Sequence, residues 1–226
     1  MTLPLRLVVF DCDGTLVDSQ HTIVESMDAA FHAHGLAPPA PEAVRRVVGL
    51  TLAEAIARLT PELTAADHAA LTEGYKAAFV ALHARDDHHE PLYPGTREVL
   101  DVLDATGLLM GVATGKGRPG LLATLERHGL VERFVTLQTS DRARGKPHRE
   151  MLLRAMEETG VEPARTVMVG DTVFDVEMAV NAGVAAVGVS WGYHGADELA
   201  QAGAAVVIDR FAALAAVVDD LTRQGG

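Results

Sequence analysis

Six short apolar runs govern what this chain can fold into: LRLVVF, LLMGVA, FVTLQ, TVMVG, AAVGVS and AAVVI. Each has the length and β-branched content of a strand buried on both faces, as in a parallel sheet covered by helices. From Tyr93 onward the runs alternate with helical patterns. Pro119 is expected at the first helical position of one segment, where Leu122 and Leu125 are three apart and Gly129 ends it. Pro147 is expected to open another, with Leu152, Leu153 and Met156 on one side and Gly160 closing it. The sequence thus predicts an α/β fold, a Rossmann-like parallel sheet with right-handed crossovers.

Between Asp18 and Glu90 the rhythm changes to helix after helix. Ile23, Met27, Ala30, Phe31 and His34 keep helical spacing up to Gly35. TLAE at Thr51 reads as a capping box, and Leu71, Tyr75, Ala78 and Leu82 form another apolar stripe. The expected organisation is an α/β core of residues 1–17 and 92–226 interrupted by an all-helical cap of residues 18–91. TLVDS and EPLYPG, at the two edges of the insertion, are the expected hinges.

The 226 residues are 48% hydrophobic, enough for one sizeable core or a core with a satellite. With 31 acidic against 19 basic side chains and a net charge of −12, the long-range field repels nucleic acid and anionic membranes, so neither is expected as a partner. An acidic small molecule would need locally supplied positive charge. The single cysteine, Cys12, leaves no internal disulfide, and MTLPLRLVVFD lacks the features of a signal peptide, so a cytoplasmic location is expected.

In a parallel sheet, residues that follow different strands meet along one edge, where such folds bind ligands. Asp11 follows VVF, Thr114 follows GVA and Asp171 follows VMVG, so three polar residues converge. Lys146, in GKP just ahead of Pro147, is expected at a helix start where an anion is favoured. Period-two alternation puts Asp11 and Asp13 on one side and turns Cys12 away. Two like charges about 4 Å apart cost roughly 4 kcal/mol at an effective dielectric of 20, and a divalent cation removes that cost. Hard carboxylate oxygens suit Mg²⁺ better than Zn²⁺. A carboxylate, a hydroxyl, an ammonium and a magnesium site in one crevice describe phosphoryl chemistry. Taken singly, Asp11, Asp171 and Thr114 would be turn or cap residues and Lys146 a surface residue; Asp175 is either a first-turn helix acid or a group supporting the metal or Lys146.

These residues resemble the haloacid dehalogenase superfamily of aspartate-dependent phosphatases. Its four motifs stand in order as DCDGTLVDS, VATGK, GKP and GDTVFDVEMAVNAG. The insertion resembles the small helical cap of the subgroup containing phosphoglycolate phosphatase, pyrophosphatase and β-phosphoglucomutase. The resemblance implies that Asp11 is the nucleophile that forms an aspartyl-phosphate and that Asp13 is the acid and base. It implies that Thr114 and Lys146 bind the phosphoryl oxygens, and that Mg²⁺ is held by Asp11, Asp171 and the backbone carbonyl of Asp13. Many relatives have Asn where this chain has Gly115, which leaves only a backbone N–H for contact. Asp13 favours a phosphate ester over a carbon–halogen or carbon–phosphorus bond.

The cap is expected to choose the substrate through VRRVVGLTLAEA, with Arg45 and Arg46 suited to a carboxylate-bearing ester such as 2-phosphoglycolate; the alternative is two exposed helix arginines. RDDHHE, from Arg85 to Glu90, resembles a metal cluster, but adjacent residues rarely face one ion, and a solvated linker is expected. His128 fits a helix C-terminus that favours positive charge, and Trp191 follows the fifth strand with no role assigned. The leading expectation is a Mg²⁺-dependent phosphatase acting on a small phosphorylated metabolite. A β-phosphoglucomutase-like phosphoryl transferase and a phospho-accepting signalling module are the alternatives.

Overall fold

The computed structural model describes residues 4–85 and 88–223. All six apolar runs form strands: β1 (Leu7–Phe10), β2 (Leu109–Thr114), β3 (Thr136–Thr139), β4 (Thr166–Gly170), β5 (Ala185–Val189) and β6 (Val206–Ile208). They make one parallel sheet in the order β3-β2-β1-β4-β5-β6, so β1 is central and pairs with both β2 and β4. That order makes the ends of β1 and β4 the switch point where doubly wound sheets take ligands.

Strand β1 supplies both faces of the core by alternation. Val8 and Phe10 enter one apolar cluster, whereas Leu7 and Val9 enter the other. The first is closed by α5 (Thr96–Ala105), α6 (Arg118–Arg127) and α10 (Leu214–Arg223); Leu103, Leu121 and Val218 are among its buried members. The second is closed by α7 (Glu150–Thr159), α8 (Val173–Ala182) and α9 (Ala196–Ala202), through Leu152, Met178 and Leu199. Cys12 lies within the first cluster, turned away from the sheet edge as the alternation requires.

Among the described residues, four helices stand between β1 and α5: α1 (Gln20–Ala33), α2 (Pro41–Val47), α3 (Leu52–Leu59) and α4 (Ala65–His83). They enclose their own apolar cluster, formed by Ile23, Met27, Phe31, Val44, Ile56 and Leu71. Two short bridges, Asp13 with Val17 and Val17 with Leu92, tie the two connections to each other.

Three local expectations change. Helix α7 begins at Glu150 rather than Pro147, so Lys146 lies in the loop ahead of it and its ammonium, not a helix terminus, is what it contributes. Leu153 points outward, and the buried face is Met151, Leu152, Ala155 and Met156. At α3 only half of the capping box forms: Thr51 accepts from the Glu54 N–H at 3.3 Å, while the Glu54 carboxylate turns to Arg58 at 2.8 Å.

The insertion's core is small enough for one residue to matter. Replacing the fully buried Ile56 with Ala should cost about 2–5 kcal/mol, read as a lower urea midpoint.

Candidate active site

Four chain segments end at one buried knot of charge. Asp11 follows β1, Asp171 follows β4, Asp175 lies in the first turn of α8, and Lys146 comes from the loop before α7. All four side chains are buried. The Lys146 ammonium lies 2.7 Å from Oδ1 of Asp11 and 2.6 Å from Oδ1 of Asp175. Carboxylate oxygens of Asp11, Asp171 and Asp175 come within 4.8 Å of one another.

Asp175 makes two sets of contacts. One oxygen accepts from the Thr172 N–H at 3.1 Å and hydroxyl at 2.7 Å, completing a capping box; the other faces Lys146. Asp171 is fixed on both oxygens, by the Thr15 hydroxyl at 2.8 Å and by the Tyr193 N–H at 2.9 Å. Gly14 makes that approach possible. It has φ +87°, and a Cβ there would lie 2.3 Å from Oδ2 of Asp171, so neither the backbone nor the space admits a side chain.

Three carboxylates meet one cation, and the imbalance registers in the acidity of Asp11 and Asp171. Burial is the chief cause that pushes Asp11 up to about 7, with Lys146 opposing and Asp175 adding to it. Burial, followed by Asp11 and Asp175, drives Asp171 well above the usual carboxylate range. Burial works against the Lys146 charge, but Asp11 and Asp175 reverse the effect and raise its pKa. Oδ2 of Asp11 is buried and receives no hydrogen bond among the described residues. The hard carboxylate donor set of Asp11, Asp171 and Asp175 fits a divalent cation such as Mg²⁺.

Asp13 stands beside this knot, with its side chain held by other groups. Its Oδ1 accepts from the Ser19 hydroxyl at 2.6 Å and faces the Lys116 ammonium at 2.8 Å. Sequence reasoning missed both partners. Ser19 occupies the N-cap of α1, yet makes no capping bond and spends its hydroxyl on Asp13. Burial works against the charge of Lys116, two residues past β2, but Asp13 together with other neighbours, Glu90 among them, raises its pKa, and it also lies 4.9 Å from the centre of the Phe79 ring on α4. Thr114 is buried at the end of β2, where its hydroxyl accepts from the Lys116 N–H at 3.2 Å. Tyr193 was also missed; its hydroxyl lies 3.4 Å from Ser19, so it touches both Asp171 and the group that holds Asp13. The only signal for it was position, in a loop just past a strand.

The helical insertion lies directly over this edge. A Cβ on Gly115 would come within 2.3 Å of the Leu50 carbonyl oxygen and 2.7 Å of that of Gly49. The missing side chain is therefore what lets the turn between α2 and α3 seat against β2. Arg45 and Arg46 are engaged elsewhere than at the carboxylates. Arg45 pairs with Glu42 on its own helix at 2.7 Å. Arg46 forms a two-pronged pair with Glu198 of α9, at 2.8 and 2.7 Å, which joins the insertion to the core. His194 adds to the same seam: its Nδ1 accepts from the Val173 N–H at 3.1 Å, and Nε2 lies 3.3 Å from the Arg46 carbonyl.

Trp191 acquires a role behind the site. Its indole N–H donates to the Thr15 carbonyl at 3.1 Å, and its ring packs 4.6 Å from that of Phe211, so it props the loop that carries Asp13 and Gly14. His128 does cap the C-terminus of α6, but burial, Arg97 and Arg127 lower its pKa, contrary to the positive charge expected there. The expected solvated linker at RDDHHE is also corrected: Glu90 is buried, and His83 and His88 face it, while Asp87 lies outside the described residues.

Comparison with known proteins agrees with this geometry. The haloacid dehalogenase-like hydrolase family matches residues 8–189. The chain is 37% identical over 208 residues to a probable phosphatase IndB of Dickeya dadantii (strain 3937), covering 91% of this chain and 90% of that one. It is 33% identical over 225 residues to a phosphoglycolate phosphatase of Agrobacterium fabrum, covering 97% and 95%. A crystal structure of a hydrolase from Pseudomonas syringae superposes with a TM-score of 0.84 at 27% identity, covering 96% and 99%. The chain belongs to the haloacid dehalogenase-like hydrolases. Within that family it is a phosphatase, an enzyme acting on phosphoric monoesters. No helix among the described residues is long and apolar enough to cross a membrane.

Two substitutions separate the contacts of the insertion. Gly115→Ala should cut kcat/KM at least about 10-fold by holding the turn off β2, the scale at which small misplacements act on catalysis. Arg46→Ala, at a half-exposed pair, should change unfolding free energy by less than about 1 kcal/mol. Steady-state kinetics and urea unfolding check the two.

Proposed function

We propose that the chain is a cytoplasmic, Mg²⁺-dependent phosphatase that hydrolyses a small phosphorylated metabolite through an aspartyl-phosphate on Asp11. The observation that carries this reading is the buried Lys146 shared by Asp11 and Asp175, with Asp171 alongside and Oδ2 of Asp11 left without a hydrogen bond. An unengaged carboxylate oxygen next to a fixed ammonium is what an in-line attack on phosphorus requires.

In this reading Oδ2 of Asp11 attacks the phosphorus while the ester oxygen leaves. Asp13 gives the departing alcohol its proton, then removes one from the water that cleaves the aspartyl-phosphate and restores Asp11. Ser19 and Lys116 aim Asp13 for both transfers. Lys146 offsets the negative charge of the equatorial phosphoryl oxygens, and Thr114 is assigned a hydrogen bond to them. Asp11, Asp171 and the Asp13 carbonyl would hold Mg²⁺, which supplies further charge stabilisation at the phosphoryl group; Asp175 keeps Lys146 in place.

Residues 18–91 act as the cap in this proposal and residues 1–17 and 92–226 as the catalytic core. The phosphoglycolate phosphatase relative supports a small, 2-phosphoglycolate-like ester. With Arg45 and Arg46 paired to carboxylates, Lys116, beside Asp13 and under Phe79, is the better candidate for a substrate anion. Gly115 contributes its backbone N–H and room for the cap.

A screen of phosphorylated metabolites with Mg²⁺, run beside Asp11→Asn, tests the assignment. We expect 2-phosphoglycolate among the best substrates, free phosphate as product, and a loss of at least about 1,000-fold in kcat for the variant. Undiminished turnover by Asp11→Asn would refute the covalent route, and return of the phosphoryl group to a sugar would favour the mutase.

The acidity of Asp11 gives a second test. Its folded-state pKa is raised from 3.8 to about 7, so its contribution to stability is present at low pH and is lost as pH rises through about 7. A cation that binds the charged form reverses that loss. Mg²⁺ should therefore raise the melting temperature of chelator-treated protein more at pH 8 than at pH 5.

A further inference from the structure

A second group of ligating side chains lies where the helical insertion returns to the sheet. His83 ends α4, and His88 and Glu90 lie on the segment leading back to Leu92. The Glu90 side chain is wholly buried, with His83 at 9% and His88 at 6% exposure. Nε2 of His83 is 3.2 Å from Oε2 of Glu90, and Nε2 of His88 is 3.8 Å from the same oxygen. One donor atom from each residue lies within 4.8 Å of the others. Neither of these nitrogens nor either Glu90 oxygen makes a well-aligned hydrogen bond among the described residues. A buried carboxylate left in that condition is costly unless something else satisfies it.

The surroundings hold the His83 imidazole in a ligating orientation. Nδ1 of His83 lies 3.1 Å from the Phe79 carbonyl one turn back on α4. A proton on Nδ1 that donates there leaves the Nε2 lone pair facing Glu90, the arrangement found behind metal-bound histidines. Arg127 fixes both backbone segments, donating to the His83 carbonyl at 2.9 Å and the His88 carbonyl at 3.1 Å. A simple His83–Glu90 ion pair would leave the second imidazole, that of His88, unexplained.

We propose that His83, His88 and Glu90 bind a divalent cation of the zinc class, at a site separate from the carboxylate cluster of Asp11, Asp171 and Asp175. Donor atoms around a tetrahedral zinc with bonds of 2.0–2.1 Å lie about 3.3 Å apart, and the two nitrogen–oxygen distances need little adjustment to meet that. Two imidazoles and one carboxylate suit zinc and its neighbours and disfavour Mg²⁺, which leaves the two sites chemically distinct. Lys116 near Glu90 and Arg127 near His88 oppose a dication, so the ion exchanges with solution rather than being locked in. Bound there, it fastens the end of α4 to the returning chain and stiffens the joint between insertion and sheet.

The test uses the full chain, stripped with chelator and then kept in saturating Mg²⁺ so that the carboxylate cluster is filled. Calorimetric titration with Zn²⁺ should give one equivalent bound, and Co²⁺ in its place should give the visible absorption of a tetrahedral site. Removal of a ligand outright should exceed the roughly 10–100-fold cost of losing a group behind one, so His88→Ala should weaken Zn²⁺ binding by more than about 100-fold. Glu90→Gln, which preserves the side-chain shape, should do the same and decides the matter if His88→Ala fails to fold. Asp171→Asn should leave Zn²⁺ binding unchanged. Absence of binding to the parent chain, binding that survives Glu90→Gln, or binding lost in Asp171→Asn would overturn the assignment.

Discussion

One buried ammonium organises the site. Lys146 sits between Asp11 and Asp175, and through them it joins the ends of β1 and β4 to the first turn of α8. A single positive charge among three carboxylates is too little for the group to be at ease without another cation, as the raised pKa values of Asp11 and Asp171 register. In the proposed function the imbalance has a use: it would make the site attract a dication and a phosphoryl group in a protein whose net charge of −12 repels anions at long range.

The rest of the fold can be understood as support for that placement. A sheet in which β1 is central, with Leu7 and Val9 on one face and Val8 and Phe10 on the other, holds Asp11 with little freedom. The loop after it bends through Gly14 against Asp171, and Trp191 braces it through the Thr15 carbonyl. The helical insertion reaches the same edge because Gly115 has no side chain, and Arg46 and His194 join it to the core. The proposed nucleophile and the seat of the insertion thus lie at neighbouring positions, just past the ends of β1 and β2.

The sheet was legible because strands buried on both faces are apolar runs that polar residues terminate, and those terminating residues, Asp11, Thr114 and Asp171, are buried together at one sheet edge and belong to the proposed site. What escaped the sequence depends on contacts between distant positions. Ser19 looks like an ordinary helix cap until Asp13 is seen to take its hydroxyl, and Tyr193 meets Asp171 across 22 positions through a backbone N–H that any residue type could supply. Arg45 and Arg46 misled because a guanidinium near a turn does not reveal which carboxylate will claim it. RDDHHE misled for a different reason. Adjacent residues seldom share an ion, but His83, two positions ahead of that hexamer, comes off the end of α4 to meet His88 and Glu90.

The account rests on a phosphoryl group passing to the side chain of residue 11, and that transfer can be caught directly. Enzyme quenched during turnover, reduced with borohydride and digested should carry homoserine in place of aspartate at position 11, since reduction of an acyl phosphate leaves the alcohol. An unmodified Asp11 in enzyme quenched with substrate saturating, or a modification at another carboxylate such as Asp13 or Asp171, would contradict it.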